Sequence, residues 1–513
     1  MCEMDGSNEV KSSEIERQTT PNDGQVPEST SHLVGLELIP SDHARSMSKI
    51  EIISVGWIIG NSWAGHSPCK KLRLTIRSWG GTVGACALTL AELARVYPTA
   101  GGQYHWTSIL APKKWSRGLS YCCGVTNVFA WIAICVGSAI IMPQLVLGMA
   151  IYWNPTYITQ PWHAFVLYQG MNMLVMVYNI YLLKRSMWIH DVGFFLSISG
   201  FTIINITSLA RTNPNFQPAE IVWKTFLNES GWVDGIAFLT GLINPNYMYS
   251  GIDGVLHLAE ECKNAAVVVP QAMMSTMCIG LVTSFIIAIV MLYCTYDFEA
   301  VVTTATGIPF FEICRQATRS DAAATVFIDS LAVMVFFALN GAHQTASRML
   351  WSMARDDALF GSRWLKQMSP RQDVPIFALV ANFAVMFVIG CIYLGSTSAS
   401  NAFIGSGLIL ARITYAIPAA LLMYRKRSAV WVPETRYFSL PLVPGWIANG
   451  TTIFVAIFAL VLYSLPVAIP VTIPVTGTNM NYTIAVIGVM AIFMILNWFL
   501  YARKQPRLAI VDS

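Results

Sequence analysis

GLINPNYMYSGIDG, residues 241–254, interrupts an otherwise apolar stretch with the residues a helix tolerates least. Pro245 has no backbone N–H to donate, and Gly251 and Gly254 loosen any helix that follows. The surrounding run, 233–256, is long enough to cross a bilayer, which takes about 20 residues for roughly 30 Å of hydrocarbon. Unpaired backbone at that depth is tolerated where it lines a protein cavity. Asp253 lies in the same run, and an acid inside a span is costly enough to suggest function. Beside Tyr247 and Tyr249 it is a candidate receiver for an ammonium group, with Asn244 in the same segment. The plainer account is that Gly and Pro are common in membrane helices and that Asp253 is already near water.

Upstream, GNSWAG at 60–65 breaks a first apolar piece with two glycines, an Asn and a Ser. Freed amides at Gly60, Asn61 and Ser62, with a helix N-terminus behind them, form a natural carboxylate site. Further apolar blocks lie at 119–150, 162–183, 191–210, 274–296, 323–346, 375–395, 402–424, 447–469 and 482–501. With 233–256 they make ten clear spans, and two shorter pieces, 51–65 and 80–94, raise the count to about twelve transmembrane helices of an all-α membrane protein. The breaks then fall in spans one and six, which correspond if a five-helix unit repeats (about 50–210 and about 233–424, with extra helices at 447–501). Trp131, Asn127, Asn340 and Gln344 are further candidates to line the cavity, although each alone is more often a helix-packing residue.

Composition agrees, with 55% hydrophobic and 12% charged residues where a soluble chain has roughly 25% charged. A net charge of +4 is too mild to argue for nucleic acid. The 11 cysteines and the isolated histidines show no metal-ligand spacing, so neither a metal nor a cofactor is expected. GxSxG, HExxH and Walker patterns are absent, which argues against an enzyme. Residues 1–49 are polar and aperiodic, as in a disordered tail, and 502–513 form a short second tail. Lys and Arg concentrate in loops on the side of both tails, which predicts cytoplasmic termini. The sequons at Asn228 and Asn481 then fall outside, as candidate glycosylation sites.

Several motifs give the chain a family resemblance. AELARVYPTAGGQYHW (91–106), HLAEECKNAAVVVPQAM (257–273), QTASRMLWSMARDDALF (344–360) and IGSGLIL (404–410) resemble the fungal amino acid, choline and GABA permease branch of the amino acid, polyamine and organocation superfamily. The likeness covers nearly everything after residue 50. It implies a leucine-transporter-type fold, with two inverted five-helix repeats and two further helices, working by alternating access. It also implies a substrate held between Gly60, Asn61 and Ser62 on one side and residues from Asn244 to Asp253 on the other. Uptake in the family is often proton-driven, so a proton gradient at the plasma membrane is the expected driving force. Glu92 and Asp253 are candidate proton carriers by membrane depth. Arg348, Arg355 and Asp356 are candidates for a gate of ion pairs, against the commoner case of solvated loop charge.

One segment departs from the family. Residues 66–82 carry Lys70, Lys71, Arg73 and Arg77 where apolar helix is expected. Each such charge costs roughly 2.5–3.5 kcal/mol at a bilayer centre. Either the segment reflects a wrong frame or intron boundary, or the protein is a divergent form with altered transport. The leading expectation is a permease for an amino acid, GABA, choline or a related amine, zwitterions first because they satisfy both a carboxylate and an ammonium site. A non-transporting nutrient sensor of the same fold is the alternative.

Overall fold

The computed structural model describes residues 47–62, 72–183, 188–224, 231–242, 246–395, 397–433, 438–466 and 481–505, with backbone alone for 72–80 and 397–401. The residues 1–46 of the expected tail, the charges Lys70 and Lys71, the sequon Asn228 and the site candidate Asn244 lie outside the described residues.

The helices are α1 (Lys49–Gly60), α2 (Leu72–Val96), α3 (Gln103–Leu110), α4 (Lys113–Trp153), α5 (Pro161–Tyr181), α6 (Ile189–Thr212), α7 (Ala219–Lys224), α8 (Asp234–Gly241), α9 (Ala265–Cys294), α10 (Phe298–Val302), α11 (Pro309–Thr318), α12 (Asp321–Arg355), α13 (Ser362–Leu365), α14 (Ile376–Gly395), α15 (Thr397–Tyr424), α16 (Leu442–Leu462) and α17 (Thr483–Leu500). A 3-10 helix, Gly254–Glu261, follows the second break. Eight of these helices are long and apolar enough to cross a membrane. The other expected spans are α2, α5 and the two broken ones, so the all-α membrane architecture stands as read.

Each break has a local cause. α1 starts on a capping box in which the Ser48 N–H donates to Glu51 Oε2 (2.7 Å) and the Glu51 N–H to Ser48 Oγ (3.4 Å). It ends after 12 residues, about 18 Å at 1.5 Å per residue, where Asn61 turns left-handed at φ 30°. α8 has only 8 residues and stops before the second interruption. Residues 233–256 are therefore not one continuous span. α9 begins at Ala265 and α12 runs on to Arg355, both beyond the apolar blocks. Arg348 and Arg355 are thus on the last turns of a helix and not in a loop.

α4, 41 residues long, packs against α3, α5, α12 and α15, and its middle is buried. The described ends of the chain meet at one end of the bundle. There the Met47 N–H donates to Glu261 O (3.1 Å), Phe360 N–H to Asn497 Oδ1 (3.0 Å), and Arg117 Nη2 to Ala502 O (2.9 Å).

Candidate functional site

The two breaks meet at one cavity of about 160 Å³. Ile59, Gly60 and Asn61 line it from the end of α1, and Tyr247, Met248 and Ser250 from the second break. α4 contributes Ile134, Ser138, Ile141 and Leu145, α12 contributes Leu331, Val335 and Ala338, and Ile308 and Phe310 complete the lining. The lining is apolar apart from Asn61, Ser138, Tyr247 and Ser250, and none of its residues is charged. Asn61 is held by Ser197 of α6, whose hydroxyl donates to Asn61 Oδ1 (2.9 Å). Gly251, at φ +76°, brings the second break against the first: a Cβ there would lie 2.7 Å from Ile59 and 3.3 Å from Trp131.

Of the residues expected around the substrate, Gly60, Asn61 and Tyr247 line this cavity. Ser62 is buried against Gly280 of α9, and the Tyr249 hydroxyl bonds Ser284 (2.6 Å). Asp253 and Trp131 lie outside the lining, in a polar cluster of their own. Asp253, 1% exposed, accepts from Tyr415 Oη at Oδ1 (2.6 Å), and from Gln103 Nε2 (2.8 Å) and Trp131 Nε1 (3.3 Å) at Oδ2. His257, four residues further on, approaches Oδ2 through Nε2 at 3.5 Å. In this conformation Asp253 already has three donors and does not face the cavity, so the expectation that it meets the substrate's ammonium directly is not met here. Gln103, His257 and Tyr415 were not singled out from the sequence as site residues. The first two sit inside the motifs 91–106 and 257–273, which was the available signal.

The 3-10 helix ends in a second set of acids. Glu260 takes a bidentate pair from Arg355 (3.0 and 3.0 Å), and Glu261 receives Arg348 Nε at 2.7 Å. Asp356 accepts from Tyr104 Oη (2.9 Å) and contacts His105 Nε2 (3.3 Å). Burial by itself raises the Glu260 carboxyl, but the hydrogen-bonded, positively charged Arg355 outweighs it and holds the group below the usual carboxylate range. For Asp356 burial again opposes, and His105, Arg355 and Tyr104 together hold it low. Arg348, Arg355 and Asp356 thus stand in a network of ion pairs at the end where the chain ends meet.

Glu92 is fully buried and paired with Arg427 Nη2 at 2.7 Å, with the Leu440 N–H on the same oxygen (3.1 Å). Arg412, 2% exposed, donates through Nε and Nη2 to Asn246 Oδ1 at the edge of the second break and stacks over Tyr415. The Asn481 amide donates to Tyr463 O (2.7 Å) and Leu465 O (3.0 Å), so a glycan on Nδ2 would displace these bonds.

Two helix breaks that meet at one small uncharged cavity are the arrangement of a membrane transporter rather than an enzyme. Comparison with known proteins places it further: the chain belongs to the amino acid permease family, whose model matches residues 45–492. It is 33% identical over 479 residues to the choline transporter of Saccharomyces cerevisiae, covering 90% of this chain and 82% of that protein. A putative amino acid/polyamine transporter of Macrophomina phaseolina is 31% identical over 419 residues (80% and 90%), and the swainsonine transporter of Arthroderma benhamiae 30% over 438 (82% and 82%).

Proposed function

We propose that this permease imports a small cationic or zwitterionic amine across the plasma membrane by alternating access, driven by the proton gradient, with both termini cytoplasmic. The observation that carries the reading is the meeting of both helix breaks at one cavity whose lining is uncharged. About 150 Å³ accommodates a benzene-sized guest, so 160 Å³ suits a solute of roughly six to eight heavy atoms. A primary ammonium would bring N–H donors needing acceptors in an apolar lining, whereas a quaternary ammonium has none to satisfy and is attracted to aromatic faces. This moves choline ahead of GABA and amino acids, reversing the order expected from the sequence; the likeness to a choline transporter agrees. The backbone at the breaks keeps a carboxylate-bearing substrate as the second reading.

The test is uptake of labelled choline, GABA and an amino acid panel by cells lacking their own permeases, after surface delivery is confirmed. Saturable uptake abolished by a proton uncoupler supports the reading and ranks the substrates. A surface-resident protein that moves none of them, even after an apolar helix replaces residues 66–82, would instead favour a sensor. Uptake restored by that replacement identifies the written segment as the defect.

A further inference from the structure

Asp253, Gln103, Asn127 and His257 form a ring of side chains with one gap. Gln103 Nε2 donates to Asp253 Oδ2 (2.8 Å), Asn127 Nδ2 donates to Gln103 Oε1 (3.2 Å), and the same Nδ2 reaches His257 Nε2 (3.2 Å). The ring closes between His257 Nε2 and Asp253 Oδ2 at 3.5 Å. The proton inventory of His257 is constrained on its other side. Nδ1 lies 2.7 Å from Ala100 O, and a carbonyl only accepts, so Nδ1 carries a hydrogen. Donors then run from Asn127 through Gln103 to an ionised Asp253 on one side of the ring and from Asn127 to His257 on the other, which leaves Nε2 as the unprotonated acceptor. All four side chains are at most 1% exposed.

We infer that the gap between His257 Nε2 and Asp253 Oδ2 is the proton-binding site that couples transport to the proton gradient, which rests on the proton-driven reading above. One proton taken up on Nε2 converts neutral His257 into an imidazolium that donates to Asp253; the hydrogen bond from Asn127 Nδ2 to the Nε2 lone pair is given up, and the charge of the cluster changes from −1 to 0. That proton exchanges the tie of His257 to Asn127 of α4 for a charged bond to Asp253, while Gln103 of α3 stays on Asp253. Its loss leaves a carboxylate facing a lone pair. The 3-10 helix carrying His257 also carries Glu260 and Glu261, so a change in its hold on α3 and α4 reaches the ion pairs at the bundle end. Among the described residues, α3 presents Gln103 to the pair, α4 presents Asn127 and Trp131, and α15 presents Tyr415 with Arg412 behind it. α12 directs Arg348 and Arg355 to Glu261 and Glu260; α9 has no charged residue, and those of α1, Lys49 and Glu51, are in its first turn.

The experiment uses the full chain in proteoliposomes loaded with a pH dye, with choline as the probe and GABA in a parallel arm. Choline or GABA influx should drive proton influx, and substrate affinity should depend on pH. His257→Gln should abolish substrate-driven proton influx and flatten the affinity profile, so that the substrate equilibrates without accumulating. Asn127→Leu keeps Asp253 and His257 but removes the N–H that holds Nε2 as an acceptor; it should move the midpoint of the profile to higher pH. That second variant decides the matter if His257→Gln does not reach the membrane. Proton influx by wild type that persists in His257→Gln, or a midpoint unmoved by Asn127→Leu, overturns the site and leaves the proton-driven reading intact. Substrate influx by wild type without proton influx overturns both.

Discussion

The two ends of the eight-residue 3-10 helix carry acids in opposite settings. At its start Asp253 and His257 are dry, and Asp253 is served mainly by neutral donors, Tyr415, Gln103 and Trp131. At its end Glu260 and Glu261 are each 30% exposed and face full guanidinium charges. Water stabilises a charge that loses its partner at the second end, and cannot at the first. A buried acid held by neutral groups is sensitive to one proton, whereas a half-wet ion pair is a latch that opens and re-forms at small cost. One short helix can therefore carry a coupling site and a gate because solvent differs over its length.

The largest effect tests the dry end. Asp253→Ala strands the Tyr415, Gln103 and Trp131 donors away from water, and a buried donor left without its acceptor costs about 1–3 kcal/mol, so the three together cost at least about 3 kcal/mol. At 1.4 kcal/mol per decade this corresponds to a loss of at least roughly 10²-fold in uptake at matched surface level. Uptake within tenfold of wild type would show that the cluster is structural filler and would erase the contrast between the two ends.

Glu261→Gln comes next. Arg348 is only 6% exposed on its side chain, and losing the carboxylate leaves its charge with a Ser347 contact at 3.4 Å. Glu261 is partly hydrated, so the cost is discounted from the buried-pair figure to about 1–2 kcal/mol. The expected result is roughly a tenfold faster labelling, from the side of the chain ends, of a cysteine placed at Ser138 in a background without the exposed Cys278 and Cys391. An unchanged rate would mean that Arg348 and Glu261 do not hold the gate.

How much of this was legible in the sequence follows the same division. The breaks at Gly60 and at 241–254 were readable because Pro, Gly and Asn act locally on the backbone. The spans were readable because hydrocarbon thickness fixes their length. The ends of α9 and α12 were not, since helices continue into water wherever packing supports them, and hydropathy reports only the apolar part. Asp253 was read as a costly acid inside a span and is buried, but its partners Gln103 and Tyr415 lie 150 and 162 residues away, and local patterns carry no information about such pairings. His257 was set aside for lacking ligand spacing, a test suited to metals and blind to a single proton shared with the residue four positions before it. The ion pairs of Arg348 and Arg355 were weighed below solvated loop charge because their helix was taken to end earlier.

The smallest effect sits on the pair that water reaches most evenly. Arg355 and Glu260 are 27% and 30% exposed, so removing the charge with Glu260→Gln should cost under about 1 kcal/mol, less than fivefold in the same labelling rate. The exchange Glu260→Arg with Arg355→Glu should recover most of it. The pH dependence sharpens the point. Glu260 and Asp356 are both held below their ordinary range, so their contribution is fully present above the unfolded values near pH 4 and is lost only as pH falls further, through the folded ones. Between about pH 5 and 7 these carboxylates stay ionised, and the latch they form should be indifferent to pH. A change in labelling rate across that window would then come from a group other than these two carboxylates. His105→Gln tests one contact of the latch, because a response that survives it arises elsewhere, and one that vanishes with it places the pH sensitivity at His105 and Asp356.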